Sequence, residues 1–179
     1  MLNNGVFIGR FQPIHLGHLE AIKFALTCVK DLTIVIGSAQ KSHELRNPFT
    51  SGERIEMIRS SLKELKISIE RVTLIPVPDV DIHYLWTYNL DLLIPKYQVV
   101  FTNDPFTSLL FAERGTKVIQ PPLIKRTDLS ATEVRNRIVN DRYWKKLVTL
   151  STYKIIKKID GTKRLKTLNL KHHEKLDSH

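Results

Sequence analysis

The chain has 179 residues, 42% of them apolar, a net charge of +10 and a single cysteine, Cys28. That length fits one domain, with or without an appendage, and can bury a core without disulfide or metal staples, while a lone cysteine excludes an intrachain disulfide framework. No apolar run reaches the roughly 18 residues of a membrane span, and MLNNGVFIGR lacks the regions of a signal peptide, so a cytoplasmic protein without membrane contact is expected.

The elements alternate along the chain. GVFIGR (5–10) reads as a strand, and the following HLGHLEAIKFALTCVK as a helix, with Leu19, Ile22, Ala25, Leu26 and Val29 at helical spacing. Cys28 falls in that helix and reads as a reduced core residue. LTIVIGS (32–38) is a continuous apolar run, as expected of a strand buried on both faces. Ser51 to Leu65 is helical, RVTLIPV (71–77) a third strand, 83–94 helical and YQVVFT (97–102) a fourth strand. A helix from Pro105 to Arg114 is closed by Gly115, TKVIQ is a fifth strand, Ser130 to Asn140 is helical, and a last helix covers about Tyr143 to Ile159. This rhythm predicts an α/β, Rossmann-like doubly wound parallel sheet of about five strands, with helices on both faces and a C-terminal helical segment. The expected organisation is one domain over 1–165, including the C-terminal helices from about 130, with 166–179 as a basic tail.

The charge predicts anionic partners, but its placement is informative. From Lys154 onward there are eight Lys/Arg against three Asp/Glu, about half of the excess. That segment has no interleaved aromatic residues after Tyr153, which argues for a solvated helix rather than a nucleic-acid surface.

In a doubly wound sheet, ligands bind beyond the carboxyl ends of the strands. Polar clusters follow the strands at 9–18, 37–54, 79–89 and 102–108. No G-x-x-x-x-G-K-[ST] or G-x-G-x-x-G is present, which excludes a P-loop enzyme and a standard dinucleotide oxidoreductase. The first strand leads instead to His15-Leu16-Gly17-His18. Gly17, lacking Cβ, lets a ligand approach the backbone, and helix-start N–H groups favour an anion. Two imidazoles there can donate to phosphate oxygens, more strongly if protonated. The motif alone also fits ordinary core or surface histidines, or a metal pair without an evident third ligand. Late in the chain, Ser130-Ala131-Thr132-Glu133-Val134-Arg135 has an N-cap serine with Glu133 set to complete a capping box, and Thr132 and Arg135 on one turn.

H-x-G-H after a first strand, together with S-x-T-x-x-R, resembles the nucleotidylyltransferase superfamily. GRFQPIHLGH, IGSAQKSHELRNPFTSGER, PDVDIHYLW, TNDP, PPL and SATEVRNR followed by Trp144 resemble one family within it, the archaeal-type nicotinamide mononucleotide (NMN) adenylyltransferases, from residue 6 to about 165. The resemblance implies the reaction ATP + NMN → NAD⁺ + pyrophosphate, with Mg²⁺ held mainly by the ATP phosphates and no protein metal ligands. It implies catalytic roles for His15, His18, Arg10 and Arg135, and an ATP site completed by Gly9, Phe11, Gly17, Ser130 and Thr132. It places Ser38, Gln40, Arg46, Asp79, Trp86 and Asn103 at the mononucleotide or NAD⁺, with Trp86 stacking on the nicotinamide ring. It also implies a homo-oligomer, a hexamer by the family's habit. His83 stands where the family pattern has an asparagine, and TNDP where it has a glycine-bearing loop. The competing readings are another H-x-G-H enzyme, such as a pantetheine-phosphate adenylyltransferase, and a nucleotide- or RNA-binding module using the basic tail.

Overall fold

The computed structural model describes residues 1–122 and 129–177, with His83 and 172–177 as backbone alone. Leu123 of the PPL stretch and the last two residues of the predicted tail lie outside the described residues. The chain forms two compact units. One comprises Met1–Arg10, Glu20–Gln40 and Ile67–Leu123; the other comprises Phe11–Leu19, Lys41–Lys66 and Ile124–His179.

The first unit carries five parallel strands, the predicted number: β1 (Leu2–Gly9), β2 (Val29–Ile36), β3 (Val72–Pro76), β4 (Val99–Phe101) and β5 (Val118–Ile119). Their order is β3-β2-β1-β4-β5. The order reverses between β1 and β4, the point at which doubly wound sheets bind ligands. Gly5 sits at the centre of this sheet. A Cβ there would lie 2.8 Å from the Phe101 ring and 2.9 Å from Val29.

Both faces of the sheet are covered, as its continuous apolar strands require. On one face, Val6, Val35 and Val100 pack with Leu90 and Ile94 from α3 (His83–Leu93) and its end, and with Phe111 of α4 (Pro105–Glu113). Phe101 alternates to the other face, where Phe24 of α1 (Leu16–Cys28) meets it edge-on at 6.5 Å. The expected helix through residue 30 stops at Cys28, and β2 begins at once, with Val29 opposite Leu2. Arg71 explains the sharp junction. Its guanidinium donates to the carbonyls of Leu26, Val29 and Lys30, satisfying groups that the helix end leaves open. Cys28 is half-buried at this junction rather than in the core.

The second unit is helical: α2 (Ser51–Glu64), α5 (Ala131–Val139), α6 (Leu150–Lys158) and α7 (Gly161–Asp177). Thr50 and Glu53 form a reciprocal capping box on α2. Ser61 of α2 joins Thr149 and Thr152 through hydroxyl contacts of 2.7 and 2.8 Å, all three buried. The single expected last helix is instead a 3₁₀ turn, Lys145–Leu147, followed by α6. Asp160, with φ of 53°, ends α6 and turns the chain into α7, so the predicted tail begins within a helix. Trp144 is buried against Tyr153, with ring centroids 4.8 Å apart.

Candidate active site

In the second unit, the turn from Phe11 into α1 is folded tightly onto itself. Phe11 adopts φ of 51°, and Phe11, Gln12, Pro13, Ile14 and His15 are all buried. The His15 carbonyl accepts the His18 and Leu19 N–H groups, which starts α1 and brings the two imidazoles together. Their ring centroids lie 3.7 Å apart at 31°, and Phe11 packs 4.9 Å from His18. Gly17 has a local reason to be glycine. A Cβ there would meet the His15 ring at 3.1 Å and the Leu129 carbonyl at 3.2 Å. The room it makes in this structure is room for the imidazole.

The sequence leaves the protonation state of the two rings open, and burial decides it. Burial pushes the His15 pKa down from 6.5 to about 4. Burial, and next the neighbouring His15, hold His18 well below the usual 6.5. Both rings are therefore neutral at neutral pH, each with one N–H donor and one acceptor nitrogen. Neither His15 Nδ1 nor His18 Nδ1 has a hydrogen-bond partner among the described residues, although both atoms are buried. Unpaired buried polar atoms are costly, and a polar ligand would supply what they lack.

Arg135 joins this cluster directly. Its Nη1 donates to the Gln12 carbonyl at 2.8 Å and its Nη2 to Thr132 Oγ1 at 3.2 Å. Thr132 and Arg135 thus share one turn, as their spacing predicts. Ser130 Oγ caps α5 by accepting the Glu133 N–H at 3.1 Å. The reciprocal half of the expected capping box is replaced, since Glu133 Oε1 takes Arg137 Nε at 2.6 Å. Arg46 is exposed in a turn closed by Asn47 and Glu44, which exchange backbone hydrogen bonds at 3.0 and 3.2 Å.

In the first unit, Gly9 ends β1 and Arg10 follows it, exposed. Ser38, with φ of 49°, donates through Oγ to Asp79 Oδ1 at 3.1 Å, and Gln40 Oε1 accepts the Asp79 N–H at 3.0 Å. Three predicted mononucleotide residues therefore meet after β2 and β3. Trp86 is half-buried on α3 against the apolar core, with its Nε1 buried and unpartnered among the described residues. Asn103 is half-buried just beyond β4, while the neighbouring Asp104 carboxylate is committed to capping α4 through Thr107.

The cytidylyltransferase-like family model matches residues 6–137, most of the chain. Nicotinamide-nucleotide adenylyltransferase of Thermococcus kodakarensis is 42% identical over 98% of this chain and 94% of its own length. The enzyme of the same name from Saccharolobus solfataricus is 41% identical, over 93% and 97%. The chain belongs to the nicotinamide-nucleotide adenylyltransferase family. The fold agrees. A bifunctional NMN adenylyltransferase/ADP ribose pyrophosphatase from Francisella tularensis superposes with a TM-score of 0.82 at 26% identity, over 97% of this chain. This chain spans only 55% of that larger protein. A second structure of the Francisella protein, in complex with AMP and a Mn ion, gives a TM-score of 0.79.

Sequence reasoning gave no role to Gln12 or Arg164. The signal for Gln12 is its place inside GRFQPIHLGH. Arg164 lies in IDGTKRLKTL (159–168), a stretch that also resembles the family but singles out no residue, and its partners in space reveal it. Among the described residues, no three His, Cys, Asp or Glu side chains group as metal ligands, and no helix is long and apolar enough to cross a membrane.

Proposed function

We propose that the protein transfers the adenylyl group of ATP to NMN, giving NAD⁺ and pyrophosphate, with the buried histidine pair and Arg135 as its phosphate-binding groups. The observation that carries this reading is the pairing of two neutral imidazoles, each with an Nδ1 unpartnered among the described residues, beside a guanidinium anchored on the same turn.

The nucleophile is an oxygen of the NMN phosphate, already anionic, so no residue need remove a proton. A new bond forms from that oxygen to the α-phosphorus of ATP. The bond from the α-phosphorus to the bridging oxygen breaks, and its electron pair leaves with pyrophosphate. The barrier lies in bringing polyanions together and in stabilising charge on the leaving group, tasks for fixed donors and cations. In this reading His15 and His18 donate N–H groups to triphosphate oxygens, while Arg10 and Arg135 supply positive charge. Gly9, Phe11, Gly17, Ser130 and Thr132 shape the ATP site. Ser38, Gln40, Arg46, Asp79, Trp86 and Asn103 receive the mononucleotide, with Trp86 against its ring. Among the described residues, no three His, Cys, Asp or Glu side chains group as ligands for a divalent ion. In this reading Mg²⁺ comes with the ATP substrate, held by phosphate oxygens and water.

We also place the protein in the cytoplasm as a homo-oligomer. The support for self-association is the exposed apolar surface of Tyr84, Leu85, Tyr88 and Leu92 on α3 and Phe106 and Leu109 on α4. The deciding assay is incubation with ATP, Mg²⁺ and either NMN or nicotinic acid mononucleotide, with products resolved by chromatography. Formation of NAD⁺ is expected. No dinucleotide, with turnover of phosphopantetheine instead, would assign the protein to another branch of the superfamily.

A further inference from the structure

Gln12 holds none of the roles assigned above, yet it is only 2% exposed and makes three polar contacts at once. Its side-chain Nε2 donates to the Phe49 carbonyl at 2.9 Å, and its Oε1 accepts the Phe49 N–H at 2.9 Å. Its own carbonyl accepts Arg135 Nη1 at 2.8 Å. The side chain thus pairs with a peptide unit as a strand neighbour would, which fixes both the amide and the backbone that carries it.

Phe49 lies in a segment held from the far end of the chain. Arg164 of α7 donates from Nη1 to the Pro48 carbonyl at 3.0 Å and to Glu53 Oε2 at 2.7 Å, and from Nη2 to Glu53 Oε1 at 2.8 Å. This is a two-pronged guanidinium–carboxylate pair, the geometry that makes arginine a rigid clamp. The same Glu53 carboxylate accepts the Thr50 N–H at 2.9 Å, so the 48–50 backbone is gripped at both ends. The start of α7 closes over it. A Cβ on Gly161 would lie 2.9 Å from the Phe49 ring.

We propose that Gln12 and Arg164 are positioning residues for the phosphate-binding groups. The Arg164–Glu53 clamp sets the Phe49 peptide, and Gln12 relays that geometry to the His15–His18 turn and to the Arg135 guanidinium. The inference rests on the reading that those groups hold the triphosphate. Its physical basis is that donors aimed at a transition state lose most of their effect when displaced, by about a hundredfold for 1 Å. The Arg135 end is the clearest case, because one of its two prongs is anchored on the carbonyl of Gln12 itself.

The test compares wild type, Gln12→Ala, Arg164→Ala, Arg164→Lys and the double alanine variant, all assayed well below their unfolding midpoints. Gln12→Ala should lower kcat about tenfold or more, with KM for NMN changed less than about twofold, because positioning acts on the reacting geometry. Arg164→Ala should lower kcat in the same way, and Arg164→Lys should restore part of it. The double variant should fall no further than Gln12→Ala alone, as expected of two residues on one path. The ¹⁵N–¹H resonances of the His15 and His18 rings should shift in Arg164→Ala, which reaches them through Phe49 and Gln12. If Gln12→Ala does not fold, Gln12→Glu keeps the shape and the acceptor but removes the donor, and carries the same expectation. A lowered Tm with unchanged kcat and ring resonances would make both residues merely structural. Multiplicative losses in the double variant would make them independent, and either result overturns the proposal. A wild type that forms no NAD⁺ would remove the site reading, while the ring resonances would still decide the relay.

Discussion

Acidification of the nucleotide-free protein should cost stability through His15 in a defined window. The unfolded chain carries this imidazole at its ordinary value of 6.5, whereas the folded protein holds it at about 4 because the ring is buried. As pH falls through 6.5, the unfolded chain takes up a proton that the folded protein refuses, so stability declines. The decline ends below about pH 4, where both states are protonated. At 1.36 kcal/mol per pH unit, that window makes His15 worth about 3 kcal/mol between neutral pH and pH 4. His18 shifts in the same direction, so this figure covers one ring of the pair. The assay is urea unfolding followed by circular dichroism at steps from pH 7.5 to 4, on wild type and on His15→Asn. The variant has nothing to titrate at that position, and its stability should fall by about 3 kcal/mol less than wild type across the window. Glu53 is a built-in control. Burial raises its pKa, but the bond from Arg164 and then that from the Thr50 amide bring it below its usual 4.5, so its loss begins at lower pH and is common to both proteins. Identical pH profiles for the two proteins, or a ring titrating near 6.5 by NMR, would refute the reasoning.

Trp86→Ala should raise KM for NMN more than KM for ATP, because the indole is assigned to the nicotinamide ring; steady-state kinetics with each substrate varied would detect the reverse order, which would return Trp86 to a purely core role. Replacing Leu92, 85% exposed on α3, with Glu should weaken self-association, since an apolar contact surface does not accept an uncompensated charge. Sedimentation velocity would check this, and a wild type that sediments as a monomer would remove the oligomer from the account.

The fold was legible in the sequence because a parallel sheet covered on both faces writes its strands as apolar runs such as LTIVIGS. The departures occur where a distant side chain decides. Nothing near Cys28 stops α1. The stop is Arg71, more than forty residues on, which takes the Leu26 carbonyl at the helix end and the Val29 carbonyl just beyond it. The C-terminal break is hidden for a different reason: Asp160 turns the chain with a positive φ, and an aspartate at one position is too common to announce that. Motif and spacing single out the histidines and Arg135 in one unit, and Ser38, Gln40 and Asp79 in the other, and within each unit the structure brings those residues together. Two things were not legible in the sequence. The neutrality of the histidines comes from burial, a tertiary property. The role of Gln12 comes from a side-chain pairing with a backbone 37 residues away, for which a sequence carries no periodic signal. Glu133 shows a local rule losing to a neighbour. Its spacing from Ser130 suits a capping box, but Arg137 at i+4 offers a full charge and takes the carboxylate.

Neutral imidazoles suit the phosphate-binding role proposed for them, in which substrates come and go as polyanions. Two permanent cations buried 3.7 Å apart would repel each other and lose their hydration, a cost the protein would bear whenever the site stood without nucleotide. As neutral rings they avoid that cost and still offer N–H donors. An arriving triphosphate changes the balance, since negative charge beside a buried imidazole favours its protonated form. The rings can thus gain charge when the ligand brings its own, and shed it when the ligand leaves. Permanent positive charge is left to guanidiniums that stay wetter. Arg135 is only partly buried and Arg10 is exposed. The proposed division gives a basic protein a reason to place uncharged donors at the most buried of its proposed anion contacts. It also explains why those contacts need scaffolding. A neutral donor attracts phosphate only at hydrogen-bond range and with the right direction, so its contribution depends on orientation more steeply than that of a point charge. The packing of Phe11 and His15 around His18 supplies that orientation from within the turn, and the pairing of Gln12 with Phe49 supplies it from outside.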